Sequence, residues 1–460
     1  MEMTQINDIR ATVDSDRAHV WHHLFQHAAL DQKDPRIFVE GRGMKLWDQN
    51  GREFLDSVSG GLWTVNVGYG RESMANAIRD QVLKMNFFGG NMGTVPAAQF
   101  AEQITSKTPG LDRVFFLNSG SEANEKAFKM VRQIAHQHHG GKKWKILYRD
   151  RDYHGSTFGA MAATGQGQRK AHFGPFPDGF VAVPHCLEYR AQWDVENYGV
   201  RAADAVEEVI LREGPDTIGA ICLEPMTAGG GVITPPAGYW ERLQEICTKY
   251  DILIHMDEVV CGMGRTGEWF GYQNYGIKPD IITTAKGVAS GYAAISCLIT
   301  TEDVFQKFRT NPADPMSMFR DISTFGGCTA GPAAAMENMR IIEDENLLDN
   351  SKKMGAYLMD KLFEIKDRHA IVGDVRGQGL FCGLELVADR ETREPLAEAL
   401  VDKVVAGCDA ESVLIGKTAR AIEGFNNTLC LAPSLIVGES EINQITETLD
   451  RALSAIPTCA

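Results

Sequence analysis

The sequence predicts an α/β protein with a large domain on a mostly parallel, seven-stranded sheet and a smaller α+β domain. From about residue 72 to 320, short apolar segments alternate with amphipathic segments of helical period. This alternation is typical of a parallel sheet covered by helices on both faces. After about residue 330 the order changes, because two helices precede two short strands and two more helices follow.

Periodicity and turn residues place the individual elements. The seven strand candidates of the large domain are residues 113–117, 145–149, 179–183, 218–223, 252–256, 280–284 and 293–300. The helix candidates are residues 72–85, 97–107, 121–137, 201–212, 237–249, 330–345, 350–368, 396–408 and 438–454. The last third adds strands at 371–375 and 380–386.

The segment before residue 70 has a different character. Residues 1 to about 35 are predicted to form a helical arm that includes residues 21–25. Short strands are expected at 37–40, 44–48 and 53–56, and the Asn50-Gly51 pair predicts a hairpin turn between the last two.

Composition excludes several classes of function. The 460 residues carry a formal net charge of -15, which argues against a nucleic-acid partner or an anionic membrane surface. No apolar run reaches the length of a membrane span, and the polar N-terminus is unlike a signal peptide. The ten cysteines include no CxxC pair, so we expect neither a disulfide framework nor a metal site. Free cysteines also favour a cytoplasmic location.

Three polar groups follow predicted strands of the large sheet. Lys286 follows residues 280–285, Asp257 ends the strand at 252–256, and Ser119, Gly120 and Ser121 form a turn between a strand and a helix. Ligands of open α/β sheets gather at the carboxyl ends of the strands. A lysine, an acid and a small-residue turn at one edge indicate a site for a phosphorylated aldehyde cofactor.

Each group also has an ordinary structural explanation. The turn can approach an anion with backbone N–H groups, but a Ser cap on a helix explains it equally well alone. Asp257 can hold a pyridinium nitrogen in its charged form, or can cap a helix or pair with Arg265. Lys286 can form an imine once desolvated, whereas most single lysines lie at the surface.

Two apolar groups and a histidine extend the candidate site. Tyr153 follows the strand at 145–149 and can stack on a flat ring, and Val259 can pack against the opposite face. His154 is a candidate for the cofactor shell, although a turn histidine bonded to backbone is the explanation that we favour for it alone.

A glycine-rich segment suggests a different class of protein. Residues 262–267 match G-x-G-x-x-G and Asp280 follows, which suggests a nicotinamide-dependent oxidoreductase. The residues after the last glycine do not open an amphipathic helix, however, and the fingerprint requires one.

At these residues the chain resembles the class III aminotransferases, which belong to the fold-type I enzymes that use pyridoxal 5′-phosphate. The resemblance covers nearly the whole chain. Its segments are 118–124 (NSGSEAN), 153–155 (YHG), 224–225 (EP), 257–259 (DEV), 262–267 (GMGRTG), 284–287 (TAKG), 323–327 (STFGG) and 375–380 (VRGQGL).

The resemblance implies a role for each residue. Lys286 would bind the cofactor's aldehyde, Asp257 its ring nitrogen, and Gly120 and Ser121 its phosphate. By the same resemblance Tyr153 and Val259 would enclose the ring, and Glu224 would support the site. Thr324 would reach the phosphate of the neighbouring subunit, which makes a homodimer obligatory and leaves a tetramer open.

The family's small domain joins both termini. The implied division is residues 1–70 for the arm and part of the small domain, 71–330 for the large cofactor-binding domain, and 331–460 for the small C-terminal domain.

The subgroup is indicated by one departure from the family pattern. Ornithine- and GABA-type members have a glutamate where this chain has Gly229, which favours the ω-amino acid or amine:pyruvate branch. Leu62, Trp63, Phe88 and Tyr153 resemble that branch's pocket walls, and one of Phe87 and Phe88 is expected to pack in the core.

The same branch has a flexible arginine that binds the substrate's anionic group. Lys417 matches its position by register and Arg420 matches it by residue type. We favour Arg420, because a guanidinium fork fits carboxylate and sulfonate oxygens better than an ammonium does. A solvated loop arginine is the alternative.

The sequence thus predicts a transaminase that moves an amino group from an ω-amino acid, an aminosulfonate or an amine to pyruvate, with taurine or β-alanine as the favoured donors. A decarboxylase of dialkyl amino acids or an aminomutase resembling glutamate-1-semialdehyde aminomutase shares the fold and remains open. The nicotinamide oxidoreductase is the remote alternative.

Overall fold

The computed structural model describes residues 9–457. The strands are β1 (Phe38–Arg42), β2 (Lys45–Asp48), β3 (Glu53–Asp56), β4 (Arg113–Leu117), β5 (Lys145–Arg149), β6 (Phe180–Val183), β7 (Ile218–Leu223), β8 (Leu253–Asp257), β9 (Ile281–Thr284), β10 (Ser296–Thr300), β11 (Val372–Gln378), β12 (Phe381–Leu386), β13 (Val413–Leu414), β14 (Gly416–Lys417) and β15 (Thr428–Leu431). The helices are α1 (Ile9–His19), α2 (Glu72–Lys84), α3 (Val95–Thr105), α4 (Gly120–His138), α5 (Phe158–Ala162), α6 (Gly167–Lys170), α7 (Tyr198–Glu213), α8 (Tyr239–Tyr250), α9 (Glu302–Gln306), α10 (Ala330–Asp344), α11 (Leu347–Arg368), α12 (Glu398–Ala410) and α13 (Glu439–Ser454).

The central sheet confirms the predicted fold class. Its seven strands lie in the order β4-β10-β9-β8-β7-β5-β6, and only β10 runs antiparallel to its neighbours. All residues of β7 and of β10 are buried, as expected for strands covered on both faces. The predicted strands agree closely with the observed ones, except that the segment predicted from residue 293 becomes a strand only at Ser296.

The strand register places the candidate residues side by side. Leu223 at the end of β7 pairs with Met256 of β8, so Glu224 follows on the strand next to Asp257. Asp257 in turn pairs with Thr283 of β9, and Lys286 comes shortly after that strand ends. The carboxyl ends of three adjacent parallel strands therefore carry the acid, the second acid and the lysine.

Two four-stranded sheets accompany the central one. The first has the order β1-β2-β3-β13 and the second β11-β12-β15-β14. The predicted hairpin joins β2 to β3, and Gly51 in its turn has a φ of +77°, which favours glycine. Residues 413–414 pair with β3 in parallel, so segments from the two ends of the chain share a sheet. Helix α10 packs against α2 and α3, and the division at residues 70 and 330 stays a prediction.

The predicted helical arm is wrong in its second half. Helix α1 ends at His19, residues 20–26 are not helical, and a single 3₁₀ turn follows at His27–Asp31. Leu24 has a φ of +52°, which a continuing helix does not allow. The aromatic and histidine side chains of residues 21–27 contact one another instead. Residues 1–8 of the predicted arm lie outside the described residues.

Arg265 connects three parts of the chain from a fully buried position. Its guanidinium donates to the backbone oxygen of Leu380 at 3.1 Å, to that of Pro433, and to the side chains of Ser59 at 3.1 Å and Asn66 at 2.6 Å. Ser59 and Asn66 lie in the N-terminal part of the chain, Leu380 lies between β11 and β12, and Pro433 follows β15. Arg265 therefore holds the N-terminal strands and the C-terminal segment against the large domain.

Within residues 9–457, no helix is long and apolar enough to cross a membrane.

Replacing Arg265 by methionine is expected to destabilise the fold by about 3 kcal/mol, because several buried acceptors lose their only donor. The measurement is the midpoint of urea unfolding. Arg309→Met is the control, since Arg309 is exposed and its loss should change stability by less than about 0.5 kcal/mol. Equal midpoints for the two variants would contradict the role of Arg265.

Candidate active site

Asp257 lies at the carboxyl end of β8 with only 3% of its surface exposed. Its Oδ2 accepts from Asn124 Nδ2 at 2.8 Å and lies 2.8 Å from His154 Nδ1, and its Oδ1 accepts from the Val259 amide at 3.1 Å. Burial alone would raise its pKa, but these donors hold the pKa of Asp257 below its usual value. The site thus has a buried, ionised carboxylate, and Arg265 is not its partner.

A hydrogen-bonded chain fixes the donors to Asp257. Asn124 Nδ2 also donates to the His154 carbonyl at 2.6 Å, and its Oδ1 accepts from the Thr283 hydroxyl at 2.7 Å. Thr283 lies 3.1 Å from His255 Nε2. Burial lowers the pKa of His255 to about 3, so this imidazole is neutral. The amide of Asn124 cannot flip without losing partners, and the carboxylate keeps one orientation.

His154 occupies a different place from the one that we favoured. Its ring bonds to the Asp257 carboxylate, so the explanation of a turn histidine bonded to backbone is wrong. The reason is that residues 153–155 run alongside the end of β8, which brings the imidazole under Asp257. Its Nε2 is buried and has no hydrogen-bond partner within residues 9–457.

Lys286 follows β9 and is half-buried. Burial lowers the pKa of its amine, against the opposing charges of Asp257 and Glu224. In the part of the chain that the structure describes, its Nζ makes neither a hydrogen bond nor an ion pair. A lysine amine with a lowered pKa and no partner is a nucleophile and a proton carrier.

The turn at the start of α4 is closely packed. Ser119 caps the helix, because its Oγ accepts from the Glu122 amide at 3.2 Å, which is the ordinary explanation offered for this residue. Ser121 Oγ accepts from the Ser156 amide at 3.0 Å. A Cβ on Gly120 would lie 2.7 Å from a methyl of Val259, so only glycine lets Val259 approach the helix N-terminus. The turn brings backbone N–H groups and Val259 to one point.

A buried ionic network supports Tyr153 and Glu224. Glu224 Oε1 accepts from the Tyr153 amide at 2.8 Å, and Oε2 accepts from the Ala228 amide at 3.0 Å. Arg149 and Asp152 form a fully buried ion pair at 3.1 Å and bond the backbone oxygen and amide of Glu224 at 2.7 and 3.0 Å. Burial and the charges of Asp152 and Asp257 raise the pKa of Glu224 well above its usual value.

The candidate pocket walls fall into two groups. Trp63 packs edge-on against Phe381 with ring centroids 5.4 Å apart and lies near Gly229, while Leu62 beside it is 61% exposed. The Phe88 amide donates to the Gly327 carbonyl at 3.1 Å, which places Phe88 beside the turn Thr324–Gly327. Phe87, Phe88 and Thr324 are all exposed, so neither phenylalanine is the core residue that we expected.

The two candidate cations differ in their partners. Lys417 Nζ lies 2.9 Å from Glu398 and 2.6 Å from Asp402 on α12. Arg420 is exposed and has no ion pair among residues 9–457. It adopts a φ of +53°, which is uncommon for a residue with a Cβ. Lys417, which matches the family position by register, is therefore engaged by two carboxylates. Arg420, which matches by residue type, has no ion pair among the described residues.

Arg169 joins this group, although no pattern in the sequence indicated it. Its Nη2 donates to the Ala419 carbonyl at 3.1 Å, and its guanidinium carbon lies 5.8 Å from the centroid of the Tyr153 ring. Its Nε is buried without a partner among the described residues. Burial and the charge of Arg420 lower the pKa of Arg169. Arg169 thus lies beside Tyr153 and close to Arg420, and neither guanidinium has a carboxylate partner among the described residues.

The glycine-rich segment does not form a dinucleotide site. The Gly262 amide donates to the Glu258 carbonyl at 3.0 Å, and residues 262–270 form turns followed by the 3₁₀ turn Gly271–Tyr275. No α-helix begins there within the described chain, so the pyrophosphate-binding helix N-terminus is missing.

Sequence reasoning missed several residues that shape this site. Arg149 ends the buried strand β5 and Asp152 follows three residues later. Charged residues at the carboxyl end of a strand are a signal that could have found them. Asn124 lies in a quoted motif, but nothing in its spacing indicated a bond to Asp257. Arg169 lies on the four-residue helix α6, which has no periodicity to read.

Solved structures of aminotransferases share the fold of this chain. A Bacillus anthracis aminotransferase of known structure superposes with a TM-score of 0.93 at 37% identity, covering 99% of this chain and 100% of that one. An (S)-enantioselective omega-transaminase from Thermomicrobium roseum superposes with a TM-score of 0.91 at 32% identity, covering 98% and 99%. The protein is an enzyme of the aminotransferase class.

Family and relatives narrow this class. The chain belongs to the class-III aminotransferases, and that family matches residues 28–453. It is 67% identical over 450 residues, 98% of each chain, to the hypotaurine/taurine–pyruvate aminotransferase of Paracoccus denitrificans. It is 54% identical over 442 residues, 96% of each chain, to the taurine–pyruvate aminotransferase of Bilophila wadsworthia.

The lowered pKa of Lys286 predicts selective chemical modification. In ligand-free protein, an amine-directed reagent should label Lys286 at a lower pH than the exposed Lys403, because the neutral amine persists to lower pH. Asp257→Asn should move the labelling midpoint of Lys286 lower still, since the Asp257 charge raises that pKa. Peptide mass spectrometry across a pH series measures both. Identical midpoints for Lys286 and Lys403 would contradict the prediction.

Proposed function

We propose that this enzyme transfers the amino group of taurine, hypotaurine or a similar ω-amino acid to pyruvate, yielding alanine and an aldehyde, with pyridoxal 5′-phosphate as cofactor. One observation carries the chemistry: the amine of Lys286, which has no partner in the described part of the chain, lies one strand from the buried, ionised Asp257. The donor class rests on the relatives named for taurine and pyruvate, which share 54–67% of their residues with nearly the whole chain.

The residues present fit the proposed cofactor. The buried carboxylate of Asp257 has donors to both oxygens but no arginine or lysine partner among the described residues. A buried anion requires a cation nearby, and a cationic ring nitrogen would supply one. Gly120 and Ser121 open the 19-residue helix α4 beside Val259, which suits a phosphate. When bound, pyridoxal phosphate supplies an aldehyde that binds amines and a cationic ring that accepts electrons.

The chain's own residues provide binding, orientation and proton transfer. Asp257 holds a positive charge at the base of the site, and His154 and Asn124 keep it ionised and fixed. Tyr153 and Val259 would line the two faces of the bound ring. Lys286 Nζ, whose pKa is lowered by burial, takes the proton from the carbon that bears the donor's amino group and returns it once the group has moved.

The substrate's anionic group is proposed to bind to Arg420, with Arg169 beside it. Both taurine and pyruvate carry an anionic group that needs a cation in the pocket. Arg420 has no ion pair in the described structure and lies close to Arg169, which lies beside Tyr153. Leu62, Trp63 and Phe88 are proposed as apolar walls of the same pocket.

Arg420→Gln is expected to raise the KM for taurine and for pyruvate by about 10- to 100-fold, because one charge-assisted bond to the substrate anion is lost. Activity toward an uncharged amine donor should be unchanged in its donor half-reaction. Lys417→Gln is the matched control, since Lys417 is engaged by Glu398 and Asp402. Steady-state kinetics measure both; a larger effect for Lys417→Gln would assign the anion to that lysine instead.

A homodimer with shared active sites is part of the proposal, as is the division into a large domain at residues 71–330 and a small one at 331–460. Thr324 is exposed beside Phe88, where a partner subunit could reach it. We also propose a cytoplasmic location, because the nine described cysteines are all free and a reducing compartment keeps them so.

Thr324→Val is expected to weaken cofactor retention about ten-fold or more, because one hydrogen bond to a dianionic phosphate is lost. Dialysis against limiting cofactor measures it, and Thr310→Val on an exposed segment is the control. Sedimentation should give twice the chain mass of 50.6 kDa. A fully active monomer would contradict both the shared site and the role of Thr324.

The proposed reaction is tested most simply by its products. Wild-type enzyme with taurine and pyruvate should form alanine and a sulfonated aldehyde in equal amounts, whereas Lys286→Ala should form neither. Carbon dioxide in place of the aldehyde would favour the decarboxylase, and turnover without pyruvate would favour the aminomutase. Full activity of Lys286→Ala would refute the proposed role of Lys286.

A further inference from the structure

A basic cavity lies beside the loop that carries Arg420. It has a volume of about 350 Å³ and is lined by Arg151, His185, Tyr189, Arg190, Arg393 and Phe425, among others. Phe425 comes five residues after Arg420 in the chain, and Arg151 precedes Tyr153 by two. Two segments of the chain therefore contribute both to the cavity and to the proposed substrate site. None of the residues that line the cavity is a candidate residue of that site.

Arg151 is the most unusual residue of the cavity. It is 8% exposed, yet its guanidinium makes no hydrogen bond and no ion pair with any residue in 9–457, and its Nε is buried without a partner. Its guanidinium carbon lies 5.2 Å from the centroid of the Phe425 ring. A buried charge without an acceptor is costly, so an acceptor is expected at this position.

Three further side chains that line the cavity have a donor without an acceptor among the described residues. Arg190 donates from Nε to Glu385 at 2.7 Å, but its Nη2 is buried and unpartnered, as is the Tyr189 hydroxyl. His185 Nδ1 accepts from the Leu187 amide at 3.2 Å, so the proton is on Nε2, which has no partner. Arg393 is exposed at the rim.

The charges around the cavity do not balance. The nearby carboxylate of Glu385 is shared between Arg190 and Arg376, at 2.7 and 2.8 Å. The charge of Asp150 raises the pKa of Arg151, but the two side chains form no ion pair in the described chain. Burial and the positive charges of Arg151 and Arg149 lower the pKa of His185 to about 3. Asp374 pairs with Arg376 at 2.7 Å, which leaves Glu385 to balance Arg190. The residues that line the cavity include three arginines and no carboxylate, and Arg151 has no ion pair among the described residues.

We propose that this cavity binds a small tetrahedral oxyanion of the phosphate, sulfate or sulfonate class. Donors from Arg151, Arg190, His185 and Tyr189 come from different side chains, and such a set suits oxygens that point in several directions better than a planar carboxylate. The volume accommodates the anion together with water molecules. The proposal is independent of the donor assigned to the enzyme.

Bound anion would also steady the substrate loop. Phe425 lies 5.2 Å from the guanidinium carbons of both Arg151 and Arg190. Its neighbour Asn426 accepts from the Ala421 amide at 3.1 Å and donates to Gln168 at 2.8 Å. The anion site is thus connected through the loop to both Arg420 and the helix that carries Arg169.

The test is calorimetric titration of the holoenzyme with inorganic phosphate, sulfate and methanesulfonate at matched ionic strength. The cofactor stays bound, so its phosphate site is filled. At least one of the three anions should bind saturably, and Arg151→Gln should weaken that binding about ten-fold or more, because charge-assisted bonds are lost. Arg393→Glu, an exposed change that brings a carboxylate to the rim, should weaken it likewise and covers the case in which Arg151→Gln does not fold.

Two variants serve as controls. Lys403→Glu makes the same change in net charge at an exposed position of α12 and should bind the anion as the wild type does. Arg420→Gln should also retain binding, which separates this cavity from the substrate site. Binding of phosphate and sulfate alone would identify a free inorganic dianion, and binding of methanesulfonate alone a sulfonate group. The proposal would be overturned if no anion bound saturably, or if Arg151→Gln and Arg393→Glu both bound the anion as tightly as the wild type. Loss of binding in Arg420→Gln would also overturn it.

Discussion

The ionised carboxylate of Asp257, buried at the end of a central strand, is the constraint on which the rest of the site depends. A carboxylate there would take up a proton unless donors surrounded it. His154 comes from the segment after β5, Asn124 from α4, and Thr283, which fixes Asn124, from β9. Only a parallel sheet whose strands end at one edge brings these three segments together, so the α/β architecture and the charge of Asp257 are one requirement.

From this base the charge of the site changes in an ordered way. Asp257 is anionic at the bottom, and Glu224 beside it has a raised pKa because Asp152 and Asp257 are near. Lys286 has a lowered pKa, and its amine has no partner among residues 9–457. Arg169 lies beside Tyr153 at the far end, with Arg420 close to it. A zwitterionic donor with an amine at one end and an anion at the other fits this sequence of charges, whereas a neutral amine uses only half of it.

Much of this could be predicted from the sequence, because the seven strands of the central sheet are apolar, regularly spaced and bounded by turns. Lys286, Asp257 and the turn at Ser119 were visible as polar residues directly after such strands. Strands β13, β14 and β15 were missed, since two to four residues carry no period. Arg149 and Asp152 were missed because their bonds to Glu224 join segments more than 70 residues apart. Arg169 was missed because a short loop helix gives no indication of what it contacts. The end of α1 at His19 depends on contacts among residues 21–27 that periodicity does not encode.

The most direct test of the account is the visible absorption spectrum of the purified enzyme, recorded before and after taurine and then after pyruvate. The account predicts a yellow band from the cofactor bound through Lys286, which taurine bleaches and pyruvate restores, because the enzyme stores the amino group between the two half-reactions. A protein that stays colourless with added pyridoxal phosphate, or a yellow band that no amine donor changes, would contradict it.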